Sequence, residues 1–187
     1  MNPKTETELF DAISATGGPL TIKGGGTRGI NLSGSLLCTR GLTGISLYEP
    51  GSLTMVAGAG TTLQEIETEL AKENQCLAFE PMDHRGLLGS VGEPTIGGIV
   101  AANISGSRRI QAGACRDHLL GVRFVDGMGN VIRNGGRVMK NVTGYDLVKL
   151  LAGSWGVLGV LSEVSLKVLP KAETEETLLI RMRGAAD

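Results

Sequence analysis

The segment 94–106 places two adjacent glycines, Gly97 and Gly98, where the sequence predicts the first turn of a short helix. Pro94 and Thr95 suit the start of that helix, because the threonine oxygen can accept a hydrogen bond from an amide that has no helical partner. Two glycines inside a helix cost roughly 1 kcal/mol each relative to alanine, so the pattern indicates that something approaches the backbone there. Two interpretations are open: amides facing an anionic ligand, or close packing of the helix against a strand without a ligand.

A second glycine cluster follows a predicted strand at 20–22. The loop 23–29 contains three consecutive glycines flanked by Lys23 and Arg28, and successive glycine amides can form a nest for a phosphate. The loop does not match the Walker A sequence or the GxGxxG fingerprint, and neither does the later turn 58–60, which we interpret as a structural link between a strand and a helix. A nicotinamide-binding Rossmann domain is therefore disfavoured, whereas a plain glycine turn at 23–29 stays open.

Composition excludes several classes of function. The net charge of −1 gives no electrostatic case for nucleic acid, and aromatic residues make up only 3% of the 187 residues. The three cysteines are too few and too widely spaced for a disulfide framework or a zinc site, so we expect no metal and a cytoplasmic protein with reduced thiols. The N-terminus lacks the pattern of a signal peptide, and no apolar run is long enough to span a membrane.

Local patterns predict a mixture of helices and strands. Two capping boxes, at Thr5 and Thr62, predict helices, and Asp-Gly at 126–127 predicts a hairpin. A long strand is predicted over 160–168, with Leu161 on the face opposite its even-numbered residues. The run 177–180 is interpreted as the first strand of a further element. No residue is predicted to be catalytic: Cys38, Cys76 and Cys115 are expected to be structural, and His84 and His118 are expected to be solvated loop residues.

Several motifs in this order resemble one family of flavoproteins. The motifs are Ile22-Lys23-Gly24-Gly25-Gly26-Thr27, Thr95-Ile96-Gly97-Gly98 with Asn103 and Gly106, Val125-Asp126-Gly127, Met139 to Leu147, and Gly153 to Glu163. Together they resemble the PCMH-type FAD-binding domain of the vanillyl-alcohol-oxidase/p-cresol-methylhydroxylase class. A more specific set is similar to the FAD-binding E subunits of bacterial glycolate oxidases: Arg116-Asp117, Gly121-Val122, Met139 to Val142 with Gly144 to Leu147, and Leu151 to Ser154.

The resemblance implies an α+β fold of two α/β lobes with FAD in a groove between them. Carried over by position, the cofactor-binding residues are Lys23, Gly24, Gly25, Gly26, Thr27, Arg28, Thr95, Gly97, Gly98, Asn103, Gly106, Gly156, Gly159 and Val160. Thr27 stands where a tethering histidine is often found in the family, and 90–95 contains no cysteine. We therefore expect the FAD to be non-covalent.

The function implied is the FAD-binding subunit or domain of a 2-hydroxy-acid (glycolate) oxidase or dehydrogenase. The alternative is an accessory flavin-binding or scaffold subunit of an oxidoreductase complex without turnover of its own. Expected partners are sister flavoprotein and iron-sulfur subunits, with peripheral attachment to the inner membrane through them. Residues 1–170 are expected to be the FAD-binding domain, and 171–187 the start of a missing or truncated substrate domain.

Overall fold

A computed structural model of the chain describes residues 1–28, 33–137 and 144–180. Gly29 and the motif residues 139–143 lie outside the described residues. The fold is a mixed α/β structure built around a mainly antiparallel sheet, which agrees with the predicted α+β class. The helices are α1 (Glu6–Ser14), α2 (Leu63–Ala71), α3 (Arg85–Leu88), α4 (Ile96–Ala101), α5 (Arg109–Ala112), α6 (Cys115–His118) and α7 (Leu147–Leu151). The strands are β1 (Leu20–Lys23), β2 (Ser35–Cys38), β3 (Ile45–Glu49), β4 (Thr54–Gly58), β5 (Gln75–Cys76), β6 (Leu119–Val125), β7 (Val131–Gly135), β8 (Val160–Lys167) and β9 (Leu169–Pro170).

The main sheet has five strands in the order β3-β4-β8-β6-β7, and every neighbouring pair is antiparallel. The predicted hairpin is confirmed as β6 and β7. The Asp126 carboxylate closes its turn by accepting hydrogen bonds from the amides of Met128 at 2.9 Å and Asn130 at 2.8 Å. β1 and β2 form a separate parallel pair, and β5 pairs with β9.

Both predicted helix starts are confirmed, but the box at Thr5 is only half formed, because the Glu8 carboxylate accepts from the Lys4 amide at 2.8 Å. The Thr5 hydroxyl accepts a hydrogen bond from the Glu8 amide at 3.1 Å at the start of α1. At α2 the bonding is reciprocal, because Thr62 caps the Glu65 amide and the Glu65 carboxylate accepts from the Thr62 amide at 3.0 Å. These two helices therefore begin where their local sequence alone directs them.

The core has two hydrophobic clusters, which lie on opposite faces of the main sheet. The larger contains residues from α2, α4 and α7 packed on β4, β6 and β8, and the smaller joins α1 to β2, β6 and β8. Neighbouring residues of a strand point to opposite faces, and Phe124 and Val125 accordingly belong to different clusters. The long strand β8 contributes to both clusters, since Val160 belongs to the smaller one and Leu161, Val164 and Leu166 belong to the larger one.

The predicted face of β8 is wrong at its first residues. Val160 packs in the smaller cluster, whereas Leu161 joins Val164 in the larger one. The reason is a register shift in the pairing of β6 with β8 between Arg123 and Phe124, which adds one residue to β8 and reverses the alternation of side chains.

The strand predicted over 177–180 is also wrong. These residues have no regular structure, and Leu178, Leu179 and Ile180 are 82%, 94% and 69% exposed. A strand needs a hydrogen-bonded neighbour, and none of the described strands pairs with this segment. Among the described residues, no helix combines the length and the apolar character that crossing a membrane would require.

Candidate functional site

A cleft of about 490 Å³ lies where three distant segments meet, a volume within the range of roughly 300–1,000 Å³ that is usual for ligand sites. The segments are the loop that follows β1, the start of α4, and the stretch 154–161 that leads into β8. The predicted site residues that line it are Lys23, Gly24, Gly25, Gly26, Thr27, Arg28, Thr95, Gly97, Gly98, Gly156, Gly159 and Val160. Folding therefore brings together almost the whole predicted set.

The two glycine segments pack directly on one another. A Cβ atom on Gly25 would lie 1.7 Å from the carbonyl oxygen of Glu93, and one on Gly24 would lie 2.5 Å from Oγ1 of Thr95. Gly92 makes the reciprocal contact, since a Cβ there would lie 2.3 Å from the Gly25 oxygen. Glycine is required in this loop by backbone packing, before any ligand is considered.

The amides at the start of α4 are already hydrogen-bonded to other parts of the protein. The Ile96 amide donates to Thr61 O at 2.9 Å and the Gly97 amide to Ala59 O at 2.8 Å. The Gly98 amide reaches Oγ1 of Thr95 at 3.4 Å. The interpretation of an open helix terminus facing a ligand is therefore wrong for these amides.

Gly97 confirms close helix–strand packing instead, because its Cβ would lie 2.6 Å from the Cβ of Ala59. Gly60, in the turn before α2, is equally crowded, since a Cβ there would lie 2.3 Å from Thr39 O. That turn is structural, as predicted.

The hydrogen-bond donors that remain free to bind a ligand are in the loop that follows β1. Within the described residues, the main-chain amides of 24–27 donate no hydrogen bond to another part of the protein. Lys23 folds back over the loop, with its Nζ 3.1 Å from the position of a Cβ on Gly26. These amides and this ammonium form a cradle that suits an anionic group.

Arg28 adds a second positive charge to the cleft. Its Nη1 donates to the carbonyl oxygen of Gly98 at 3.1 Å, and its guanidinium lies 5.6 Å from the ring centroid of Trp155. Burial lowers the pKa of Arg28 from its ordinary value, but an arginine still remains charged in a protein. Among the described residues that line the cleft there is no aspartate and no glutamate. The described part of the lining is therefore positively charged, and it contains no carboxylate that could neutralise this charge.

The other end of the cleft is mainly apolar. Its lining comprises Ile22, Leu36, Ala59, Ala101, Ala102, Val157, Val160 and Leu161. Ser154 also lines it, and its Oγ is buried without a hydrogen-bond partner in the described structure. A cradle for an anion next to an apolar slot fits a ligand that carries both phosphate and a planar ring system.

Besides several apolar lining residues, sequence reasoning missed two side chains of this cleft that can interact specifically with a ligand, Ser154 and Trp155. Ser154 and Trp155 belong to a motif used for the resemblance, but neither was assigned to the site. Trp155 has a φ of 55°, in the left-handed region, where a non-glycine residue costs of order 1–3 kcal/mol. A bulky residue directly before Gly156, in a turn, is the signal that could have identified it.

Asn103 and Gly106 do not line the cleft. The Asn103 side chain accepts a hydrogen bond from the Arg116 amide at 2.9 Å. The Gly106 amide donates to Phe79 O at 2.8 Å, and a Cβ on Gly106 would lie 2.6 Å from Glu80 O. Both residues shape the chain after α4, and their direct contact with a cofactor stays a prediction.

His118 is not the solvated loop residue that was expected. It ends α6, is only 5% exposed, and packs its ring 5.6 Å from that of Phe79. Its Nε2 lies 2.8 Å from Ala112 O, so burial is stabilised by packing and one hydrogen bond. His84 is half-buried beside α3, and neither histidine lines the cleft. Among the described residues, no cluster of three histidine, cysteine, aspartate or glutamate side chains could hold a metal ion.

The chain is similar to known flavoproteins. The model of the family described as FAD binding domain matches residues 1–135. The glycolate oxidase subunit GlcE of Escherichia coli (strain K12) is 43% identical over 163 residues, which cover 86% of this chain and 45% of that protein.

Two further relatives match smaller parts. The glycolate oxidase subunit GlcD of Bacillus subtilis (strain 168) is 45% identical over 46% of this chain and 18% of its own length. A D-lactate dehydrogenase of Archaeoglobus fulgidus is 30% identical over 87% of this chain and 36% of its own length. The chain therefore spans less than half the length of these relatives.

Proposed function

Since the chain belongs to the FAD-binding domain family, with FAD as its cofactor, we propose that it is the FAD-binding subunit or domain of a 2-hydroxy-acid oxidoreductase. Glycolate is the proposed substrate, because two relatives are named as glycolate oxidase subunits. The D-lactate dehydrogenase extends the same chemical class, since lactate and glycolate are both 2-hydroxy acids. Bound flavin supplies hydride or electron transfer in such proteins.

The observation that carries the proposal is the charge and shape of the cleft. Free amides at 24–27, Lys23 and Arg28 supply donors and positive charge at one end, with no carboxylate among the described lining residues. We assign the pyrophosphate of FAD to this end and a planar ring to the apolar end near Ala101 and Val160.

We propose further that the FAD is held without a covalent bond. In the family such a bond is made through histidine or cysteine, and neither residue type occurs among the described residues that line the cleft. The groove of the proposed two-lobe arrangement corresponds to this cleft, and residues 1–170 form the proposed FAD-binding domain. The end of β9 at Pro170 supports that boundary.

We also propose that the chain works within a complex. Two relatives are named as subunits of glycolate oxidase, which supports a sister flavoprotein partner. The iron-sulfur partner, the cytoplasmic location and the peripheral attachment to the inner membrane stay predictions.

The test is the visible spectrum of the purified protein after loading with FAD, followed by acid precipitation. We expect flavin absorbance that co-elutes with the protein and moves to the supernatant after precipitation. The variant Arg28→Gln should bind FAD roughly tenfold more weakly, since a charged hydrogen-bond donor is lost, whereas Arg109→Gln, on the exposed surface, should not change binding. A wild-type protein that binds no FAD contradicts the function, and colour left in the pellet contradicts the non-covalent site.

A second candidate function is an accessory subunit that holds FAD without turnover. The observation in its favour is that the described lining of the cleft contains no histidine, cysteine, tyrosine or carboxylate. A general base must lie within hydrogen-bond reach of the proton that it removes. Turnover of glycolate with an artificial electron acceptor separates this candidate from the first.

A further inference from the structure

Trp155 occupies a turn that does not favour its side chain. Trp155 and Gly156 have φ values of 55° and 79°, and the Val157 amide donates to Ser154 O at 3.0 Å. A tight turn with positive φ at both central residues is the mirror-image type that favours asparagine, aspartate and glycine. For a bulky residue the first of these positions is a genuine outlier.

The other left-handed non-glycine positions in the described chain have an evident local reason, including Glu80, with a φ of 46°, whose carboxylate pairs with Arg108. Asn74 and Asn103 have φ values of 52° and 51°, and asparagine tolerates this region better than other non-glycine residues. Leu53, with a φ of 53°, packs against the larger core cluster, which explains its side chain. Packing of this kind does not explain Trp155, which is 53% exposed.

Trp155 also lines the cleft. Its amide is anchored to α4 through a hydrogen bond to Ala101 O at 2.8 Å, and the guanidinium of Arg28 lies 5.6 Å from its ring centroid. The backbone and the orientation of the indole are therefore fixed from the protein side, while half of the side chain remains open. Strained residues that are over-determined in this way concentrate at ligand sites.

We propose that the indole of Trp155 is a stacking platform for a planar aromatic ring of the bound ligand. The inference rests on the proposed function, and the rings concerned are the adenine and the isoalloxazine of FAD. A tryptophan presents the largest π face of any side chain, and base–aromatic stacking does not depend on a particular pattern of hydrogen bonds. The cradle at 24–27 holds the anionic part, and Trp155 covers a ring that extends from it.

The sharpest test is the substitution Trp155→Asn. Asparagine suits the left-handed backbone, so the variant should unfold at the same temperature as wild type or higher, while it loses the ring. Its dissociation constant for FAD should rise roughly 5- to 150-fold, the range expected for loss of one stacked base. Trp155→Phe, which keeps an aromatic face, should bind within a few-fold of wild type.

Two smaller probes identify the ring. ADP and FMN are titrated separately into wild type and Trp155→Asn; a loss of affinity confined to ADP assigns the platform to adenine, and one confined to FMN assigns it to the isoalloxazine. Trp155 is the only tryptophan of the chain, so its fluorescence reports on this ring alone, and ADP, which does not absorb the emission, should change it if adenine stacks there.

An unchanged dissociation constant for FAD in a folded Trp155→Asn variant overturns the platform. Equal weakening in the Phe and Asn variants overturns it as well, because it would show that shape matters and the aromatic face does not. A wild-type protein that fails to bind FAD contradicts the proposed function instead, so the two failures can be told apart.

Discussion

Cys115 shows how burial changes the chemistry of one residue. It begins α6, its side chain is fully buried, and its amide donates to Ser105 Oγ at 2.9 Å. Burial disfavours the thiolate and raises the pKa of Cys115 from the ordinary value near 9 to about 12. Because reactive cysteines are exposed and have lowered pKa values, Cys115 is a packing residue, as its isolated position in the sequence suggested.

We predict that Cys115 makes stability depend on pH above about 9. The folded state holds the proton more tightly than the unfolded chain, so this contribution is complete below a pH of about 9 and is lost as pH rises toward about 12. Urea denaturation at pH 8 and pH 10 should show a decrease that is smaller in Cys115→Ala than in wild type by about 1 kcal/mol. Equal decreases in the two proteins would contradict the burial of this thiol.

At the scale of elements, the decisive contact joins the β1 loop to the segment before α4. Glycine at position 25 lets the loop lie against the Glu93 carbonyl, and Ser90 adds a hydrogen bond from its hydroxyl to Thr27 O at 2.6 Å. These contacts hold the loop where residues 24–27 line the cleft. A substitution at Gly25 is therefore expected to alter both the stability of the protein and its binding of a ligand.

We predict that Gly25→Ala destabilises the protein by about 1–3 kcal/mol, the usual range for overpacking. The new Cβ would lie 1.7 Å from a backbone oxygen, which cannot move aside as a flexible side chain can. Gly51→Ala is the matched control, because a Cβ there has no neighbour within 4 Å. Chemical denaturation of both variants measures the effect, and similar stabilities would show that the loop does not pack on 92–94 as described.

The sequence predicted a helix start or a turn correctly where it is determined by hydrogen bonds between residues close together in the chain. The capping box at Thr62 and the Asp-Gly turn at 126–127 use hydrogen bonds within a few residues, and both were confirmed. Thr5 caps its helix as predicted, but its box is only half formed, because the Glu8 carboxylate accepts from the Lys4 amide. The bulge in β8 depends on pairing with β6, a strand 35 or more residues earlier in the sequence, and no pattern within 160–168 reveals it. The exposed run 177–180 has strand-forming residues without a strand beside it.

The cleft is a property of the whole molecule, since more than 50 residues of sequence separate Arg28 from Thr95 and about 50 separate Ala102 from Ser154. The glycine motifs predicted which backbone would meet there, because glycine marks close approach. They did not predict that the first amides of α4 would donate hydrogen bonds to the carbonyl oxygens of Ala59 and Thr61. That outcome depends on tertiary packing of the β4–α2 turn, and it shifts the role of anion binding to the β1 loop.

The final prediction concerns what the FAD-loaded chain can do by itself. Removing hydrogen from a hydroxy acid needs a group that accepts the hydroxyl proton, placed within hydrogen-bond reach. The described residues that line the cleft offer positive charge and apolar surface but no imidazole, thiol, phenol or carboxylate. We therefore expect that dithionite bleaches the flavin absorbance under anaerobic conditions and that glycolate alone does not.

The control for this experiment is the same protein without substrate, followed for the same time. Positioning and exclusion of water supply much of an enzyme's rate, so adding a partner subunit that completes the site should make the flavin reducible by glycolate. Rapid bleaching by glycolate in the chain alone would show that a base is already present, either at the cleft or in residues outside the described ranges. That result would favour the catalytic subunit over the accessory one.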